Sequence, residues 1–171
     1  MNEMREIRIE KLTLNVGAGK DQDRLKKSMM LLKNISGIQP VKTVTQKRIA
    51  GWGLRPGLPI GCKITIRKKQ ATELLGRLVK AKGNKLKTSC LDDSGNISFG
   101  INEYIDVPDV KYDPEIGMAG FQVSVTLERP GFRVKRRKIM KRKIHKNHKI
   151  TKKDTTEYLE KQFNVKVGEK E

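Results

Sequence analysis

Phe121-Gln122-Val123-Ser124-Val125-Thr126-Leu127 alternates apolar and polar side chains without a break. Successive side chains of a strand point to opposite faces, so this heptad reads as a strand with one side on a core and the other in water. Its neighbours repeat the pattern. Ile60, Cys62, Ile64 and Ile66 alternate with Gly61, Lys63, Thr65 and Arg67, and Leu12, Leu14 and Val16 with Thr13 and Asn15. Ile7 and Ile9 run in the opposite phase, which a bulge near Glu10 or Lys11 reconciles. Residues 41–49 read as a further β-branched, polar-rich strand, and Ile97, Phe99 and Ile101 as a short one.

Helical spacing takes over elsewhere. Leu25, Met29, Leu32 and Ile35 recur on one helical face between an N-cap at Asp21 and a stop at Ser36-Gly37. Ala71, Leu74, Leu75, Leu78 and Val79 form the apolar face of a second helix ending near Lys82-Gly83. Thr151 with Asp154 makes a capping box ahead of Tyr158, Leu159 and Phe163, predicting a third. One-sided strands interleaved with amphipathic helices imply an α+β fold: a mostly antiparallel sheet, helices packed on one face, a long Gly/Pro-rich loop and a basic C-terminal extension. With 171 residues and 36% hydrophobic content the chain can bury one substantial core. The expected division is an α+β core over residues 1–128 and a basic arm with a C-terminal helix over 129–171.

The uncovered sheet face would carry Thr13, Asn15, Thr43, Thr45, Lys47, Gln122, Ser124 and Thr126. Such groups suit ribose hydroxyls, bases and phosphates, and they equally suit an ordinary wet sheet face. Charge breaks the tie. The net charge is +19, and residues 129–153 hold 13 lysines and arginines with no aspartate or glutamate. Like charges at that density repel one another, whereas along phosphates each neutralised group releases counterions. A nucleic acid is the expected partner, not a membrane, since no 18-residue apolar stretch exists. The N-terminus lacks the basic-then-apolar order of a secretion signal, so a cytoplasmic location is expected.

Catalysis and metal binding find little support. Cys62 and Cys90 stand 28 positions apart without partners, arguing against a zinc site or a disulfide framework. His145 and His148 are flanked by Lys143, Lys146 and Lys149, which disfavour a dication and favour phosphate. Gly17-Ala18-Gly19-Lys20 lacks the Ser or Thr of a phosphate-binding loop, since Asp21 follows, and reads as a tight strand-to-helix turn. Glu103, Asp106, Asp109, Asp113 and Glu115 come with no nucleophile, base or ligand spacing and suit contact with a basic partner. No cofactor, metal or enzymatic activity is expected.

The most specific segment is Lys47-Arg48-Ile49-Ala50-Gly51-Trp52-Gly53-Leu54-Arg55-Pro56-Gly57-Leu58-Pro59-Ile60-Gly61-Cys62-Lys63. Together with Lys11-Leu-Thr-Leu-Asn-Val-Gly-Ala-Gly19 and Gly95-Asn-Ile-Ser-Phe-Gly-Ile-Asn-Glu103, it closely resembles the universal large-subunit ribosomal protein five family, whose members bind 5S ribosomal RNA. The likeness covers most of residues 7–128. Residues 129–167 are similar to the archaeal and eukaryotic branch, particularly residues 146–154 leading into the last helix. The chain lacks the N-terminal helical extension of the bacterial pattern.

The resemblance implies a non-enzymatic α+β scaffold in the central protuberance that attaches 5S RNA to the large subunit and contacts large-subunit ribosomal RNA. It also implies a loop reaching peptidyl-site transfer RNA, here Gly51, Trp52, Gly53, Leu54, Arg55, Pro56 and Gly57. Further implied partners are neighbouring large-subunit ribosomal proteins and a small-subunit protein across an intersubunit bridge. For Trp52 two roles stay open, stacking on a base or anchoring the loop beside Ile49 and Leu54. The expected 5S RNA contacts are Asn15, Thr43, Thr45, Gln46, Lys47 and Arg48. The expected backbone contacts to ribosomal RNA are Lys63, Arg133, Lys135, Arg136, Arg137, Lys138, Lys141, Arg142, Lys143, His145, Lys146, His148 and Lys149. Self-repulsion and the lack of an apolar repeat predict an arm that is disordered when free.

Overall fold

A computed structural model describes residues 2–168, so Met1 and the last three residues of the 129–171 segment lie outside it. Five strands form one antiparallel sheet in the order β2-β3-β1-β6-β5: β1 Arg8–Gly17, β2 Val41–Val44, β3 Pro59–Ile66, β5 Asn96–Ile101 and β6 Phe121–Glu128. Strand β1 is central, pairing with β3 on one side and β6 on the other. Its register with β6 shifts between Ile9 and Lys11, so the expected bulge is present and brings Ile9 into phase with Leu12, Leu14 and Val16. Those residues join Ile64, Ile66, Ile97, Phe99, Val123, Val125 and Leu127 in a single buried layer.

Helix α1 (Gln22–Ser36) starts where the Asp21 carboxylate accepts the Asp23 and Arg24 amides at 3.0 and 3.2 Å. It stops where Gly37, at φ 70°, donates its amide to the Lys33 carbonyl at 2.8 Å. Leu25, Leu31, Leu32 and Ile35 face inward. Helix α2 (Lys68–Ala81) buries Ala71, Leu74, Leu75, Leu78 and Val79 against the same apolar layer. The Cys62 thiol lies between strand and helices, and burial pushes its pKa up to about 11, leaving it unreactive at neutral pH.

Two elements depart from expectation. The strand predicted over 41–49 ends at Val44, because its partner Pro59 has no amide to donate and the chain turns inward at Thr45. A parallel two-stranded ladder, β4 (Lys85–Lys87) with β7 (Lys166–Gly168), was not anticipated, since three residues are too few to show a period.

Helix α3 (Lys152–Phe163) opens with the expected capping box: the Thr151 amide and hydroxyl both donate to Asp154 Oδ2 at 2.9 Å. The same carboxylate takes Arg129 Nη2 at 3.1 Å, and Arg129 is only 8% exposed. Burial works to raise the Asp154 carboxyl, but the Thr151 bonds and the Arg129 guanidinium outweigh it and hold the group below its ordinary value. A depressed folded pKa adds stability above the unfolded value and loses it as pH falls through the folded one. Asp154→Ala is therefore expected to cost about 2 kcal/mol in urea denaturation at neutral pH, by loss of a cap and of a buried cation's partner. The gap from wild type should narrow below about pH 4.

Candidate nucleic-acid interface

The strand register lays the polar side chains out in rows across the uncovered face. One row runs Val41, Lys63, Asn15, Gln122, Gly100, and the Asn15 amide donates to Gln122 Oε1 at 3.2 Å. The next runs Thr65, Thr13, Ser124, Ser98, with the two serine hydroxyls 3.3 Å apart. A third joins Thr43, Gly61 and Gly17 at the rim nearest the long loop. Hydroxyls and amides thus line one sheet face, with Lys63 exposed in it and Lys11 beside it. Such a surface offers donors and acceptors to ribose and base edges while the lysines meet phosphate.

Only part of the predicted 5S RNA set lies on that face. Asn15 and Thr43 do, whereas Gln46, Lys47 and Arg48 are exposed on the limb that leaves β2 for the loop. Thr45 is buried, and its amide and hydroxyl both donate to the Leu58 carbonyl, at 2.9 and 3.1 Å. Its carbonyl accepts the Gly57 amide at 2.9 Å. Thr45 therefore closes the base of the loop and presents nothing to a ligand.

The loop carries a tight tip. Ile49 and Leu54 exchange backbone hydrogen bonds of 3.0 Å in each direction, a 3-10 turn (Ala50–Trp52) lies between them, and Gly53 takes a left-handed φ of 64°. The two roles for Trp52 are now separated. Leu54 is the anchor at 8% exposure, while Trp52 stands 69% exposed with its ring free to stack. The turn between β1 and α1 holds the returning limb, since the Ala18 and Gly19 amides both donate to the Ile60 carbonyl. Lys20 runs beside Gly53, adding a cation at the tip. In the sequence Lys20 reads only as the end of a strand-to-helix turn, and its contact with the loop comes from the fold.

The arm is folded against the core. Phe132 and Ile150 are buried in the main hydrophobic cluster and Ile144 packs on it. His148 Nε2 meets the Pro130 carbonyl at 2.8 Å and its ring stands edge-on to Phe132, so this histidine supports the arm from within. Lys135 lies over the Phe132 ring, 4.8 Å from its centre, and Arg137 Nε donates to the Met140 carbonyl at 2.8 Å. Arg133, Lys138, Lys141, Arg142, Lys143, His145, Lys146 and Lys149 are exposed. Arg136 differs from these, because its guanidinium grips Glu10 and Glu128. Among the described residues no group of three or more His, Cys, Asp or Glu could hold a metal ion, and no helix is long and apolar enough to cross a membrane.

Two family models match the chain: ribosomal protein L5 over residues 2–55, and the C-terminus of the same ribosomal protein family over residues 59–165. Curated relatives named large ribosomal subunit protein uL5 align along almost their whole length. That of Sulfurisphaera tokodaii is 44% identical over 99% of this chain and 96% of its own. The Nanoarchaeum equitans protein is 44% identical over 96% and 97%, and the Nitrosopumilus maritimus protein 43% identical over 96% and 95%.

Proposed function

From the premise that this chain belongs to the ribosomal protein L5 family and is a structural, non-catalytic protein of the large ribosomal subunit, we propose a division of labour among its three surfaces. The hydroxyl- and amide-bearing sheet face, with Asn15, Thr43 and Lys63, docks on 5S ribosomal RNA, and Gln46, Lys47 and Arg48 extend that contact along the loop's outgoing limb. The exposed cations of the arm lie along ribosomal RNA phosphates, those of 5S RNA among them. Together they attach 5S RNA to the rest of the subunit in its central protuberance.

The observation that carries this reading is the pairing of an uncovered polar sheet face with a cationic arm folded beside the same sheet. Phosphate contacts supply affinity and position, and the sheet face's contacts to ribose and base edges supply specificity. Residues 51–57 meet transfer RNA in the peptidyl site, with Trp52 stacking and Arg55 reaching phosphate, supported by the exposure of both side chains. The acidic 103–115 segment is suited to contact with a basic partner.

Replacing Trp52 and Arg55 together by alanine separates the surfaces, since both side chains are exposed and neither closes the loop base. Binding of a 5S RNA transcript in a filter assay should stay within about twofold of wild type, because the phosphate contacts lie elsewhere. Transfer RNA occupancy of the peptidyl site on reconstituted ribosomes should fall. Equal loss in both assays would refute the division.

A further inference from the structure

We propose that Glu10 and Glu128 form a carboxylate clamp on the Arg136 guanidinium that holds the basic arm in its RNA-binding geometry, making Arg136 a positioning residue and not a phosphate contact. The proposal rests on the reading of the arm as an RNA surface.

Each half of the clamp has a sequence-level cause. Glu10 sits at the β1 bulge, in the gap where the register jumps from the Ile9–Leu127 pair to Lys11–Thr126, so it has no partner residue on β6. Glu128 is the last residue of β6, directly across from Arg8. Both carboxylates are only 8% exposed, at the edge of an open groove of about 580 Å³. Carboxylates this deep must be paired. Arg8 Nη2 takes Glu128 Oε1 at 2.8 Å, leaving Oε2 for Arg136 Nη2 at 2.7 Å. The other arm of the same guanidinium, Nη1, donates to Glu10. Arg67 Nη1 stands 3.9 Å from the same Glu10 oxygen.

One guanidinium thus ties β1 to a residue eight positions beyond β6. Only a planar fork reaches both carboxylates at once, whereas a lysine ammonium offers a single point of charge. The 3-10 turn Phe132–Lys135, whose Phe132 is buried, delivers Arg136 to this spot. Beyond it the chain turns back, and the Arg142 amide donates to the Val134 carbonyl at 3.3 Å. The other limb is fixed by His148 on Pro130 and by Ile150 in the core. Between the two fixed limbs lie the exposed cations Lys138, Lys141, Arg142, Lys143 and Lys146. Releasing Arg136 would free one limb and oblige RNA to order it on binding, which weakens affinity.

The test turns on a sign. Glu128→Gln makes an RNA-binding protein more positive, and without a clamp this would leave 5S RNA affinity unchanged or raise it. With the clamp, affinity for a 5S transcript falls about tenfold and backbone amide exchange rises across residues 133–142. Arg136→Lys keeps the charge and should show the same two changes. Lys138→Gln should instead lower the salt slope by about one with exchange unaltered, as expected of a phosphate contact. Wild-type affinity and exchange in Arg136→Lys, or tighter binding by Glu128→Gln, would overturn the proposal. If Glu128→Gln melts early, Arg136→Lys decides the matter. Should neutralising the whole arm leave RNA binding intact, the RNA reading fails, and the exchange rates still judge the clamp.

Discussion

Replacing Arg133, Lys138, Lys141, Arg142, Lys143, Lys146 and Lys149 together by glutamine is expected to lower affinity for 5S ribosomal RNA by about three orders of magnitude near physiological salt. All seven side chains are exposed and none joins an ion pair among the described residues. Each cation that neutralises a phosphate releases counterions, so the loss should appear mainly as a flatter plot of log affinity against log salt. Arg129 and Arg136 are left untouched because they hold the arm to the core, and their removal would confuse unfolding with lost contact. An unchanged slope would take the arm out of the RNA interface and leave the sheet face to bind alone.

Gly61→Val is expected to be the most damaging single substitution at the base of the site. Gly61 lies in β3 between Thr43 of β2 and Gly17 of β1. A β-carbon there would sit 2.6 Å from the Val16 carbonyl oxygen and 3.0 Å from Thr43 Oγ1. The carbonyl belongs to the central strand and cannot swing aside, so the cost should reach about 3 kcal/mol, lowering the melting temperature by about 10 °C. Because Ile60 next to it accepts the amides that hold the loop, transfer RNA placement should suffer too. Gly17→Ala, directly opposite, has nothing within 4 Å of its added carbon and should melt within about 2 °C of wild type. Equal effects at the two glycines would mean that the close approach at Gly61 is not what constrains it.

The sheet was legible because its strands are buried on one side only, which writes the fold into period-two alternation at residues 12–16, 60–66 and 121–127. The β1 bulge showed itself as a phase reversal between Ile9 and Leu12. Helix α1 showed itself through a side chain that caps, Asp21, and a glycine that takes a left-handed turn, Gly37. What stayed hidden depends on contacts between residues distant in sequence. Thr45 looked like a surface threonine until Leu58 closed on it. Arg136 looked like any other cation of the arm, and only the convergence of Glu10 and Glu128, more than a hundred residues apart, distinguishes it. The arm itself lacks an apolar period, yet Phe132, Ile144 and Ile150 hold it to the core at irregular intervals. Three separate anchors and one ion-pair clamp stand in for the periodic face that a free-standing helix would need.

Lysine acetylation of the protein free and within assembled large subunits tests the central claim, that one face and the arm lie on RNA while the helical side does not. Lys63 on the sheet face and Lys141, Lys143 and Lys146 on the arm should lose reactivity in the subunit, whereas Lys26 of α1 and Lys69 of α2, exposed on the opposite side, should keep it. Protection of the helix lysines with Lys63 and the arm left reactive would contradict the account.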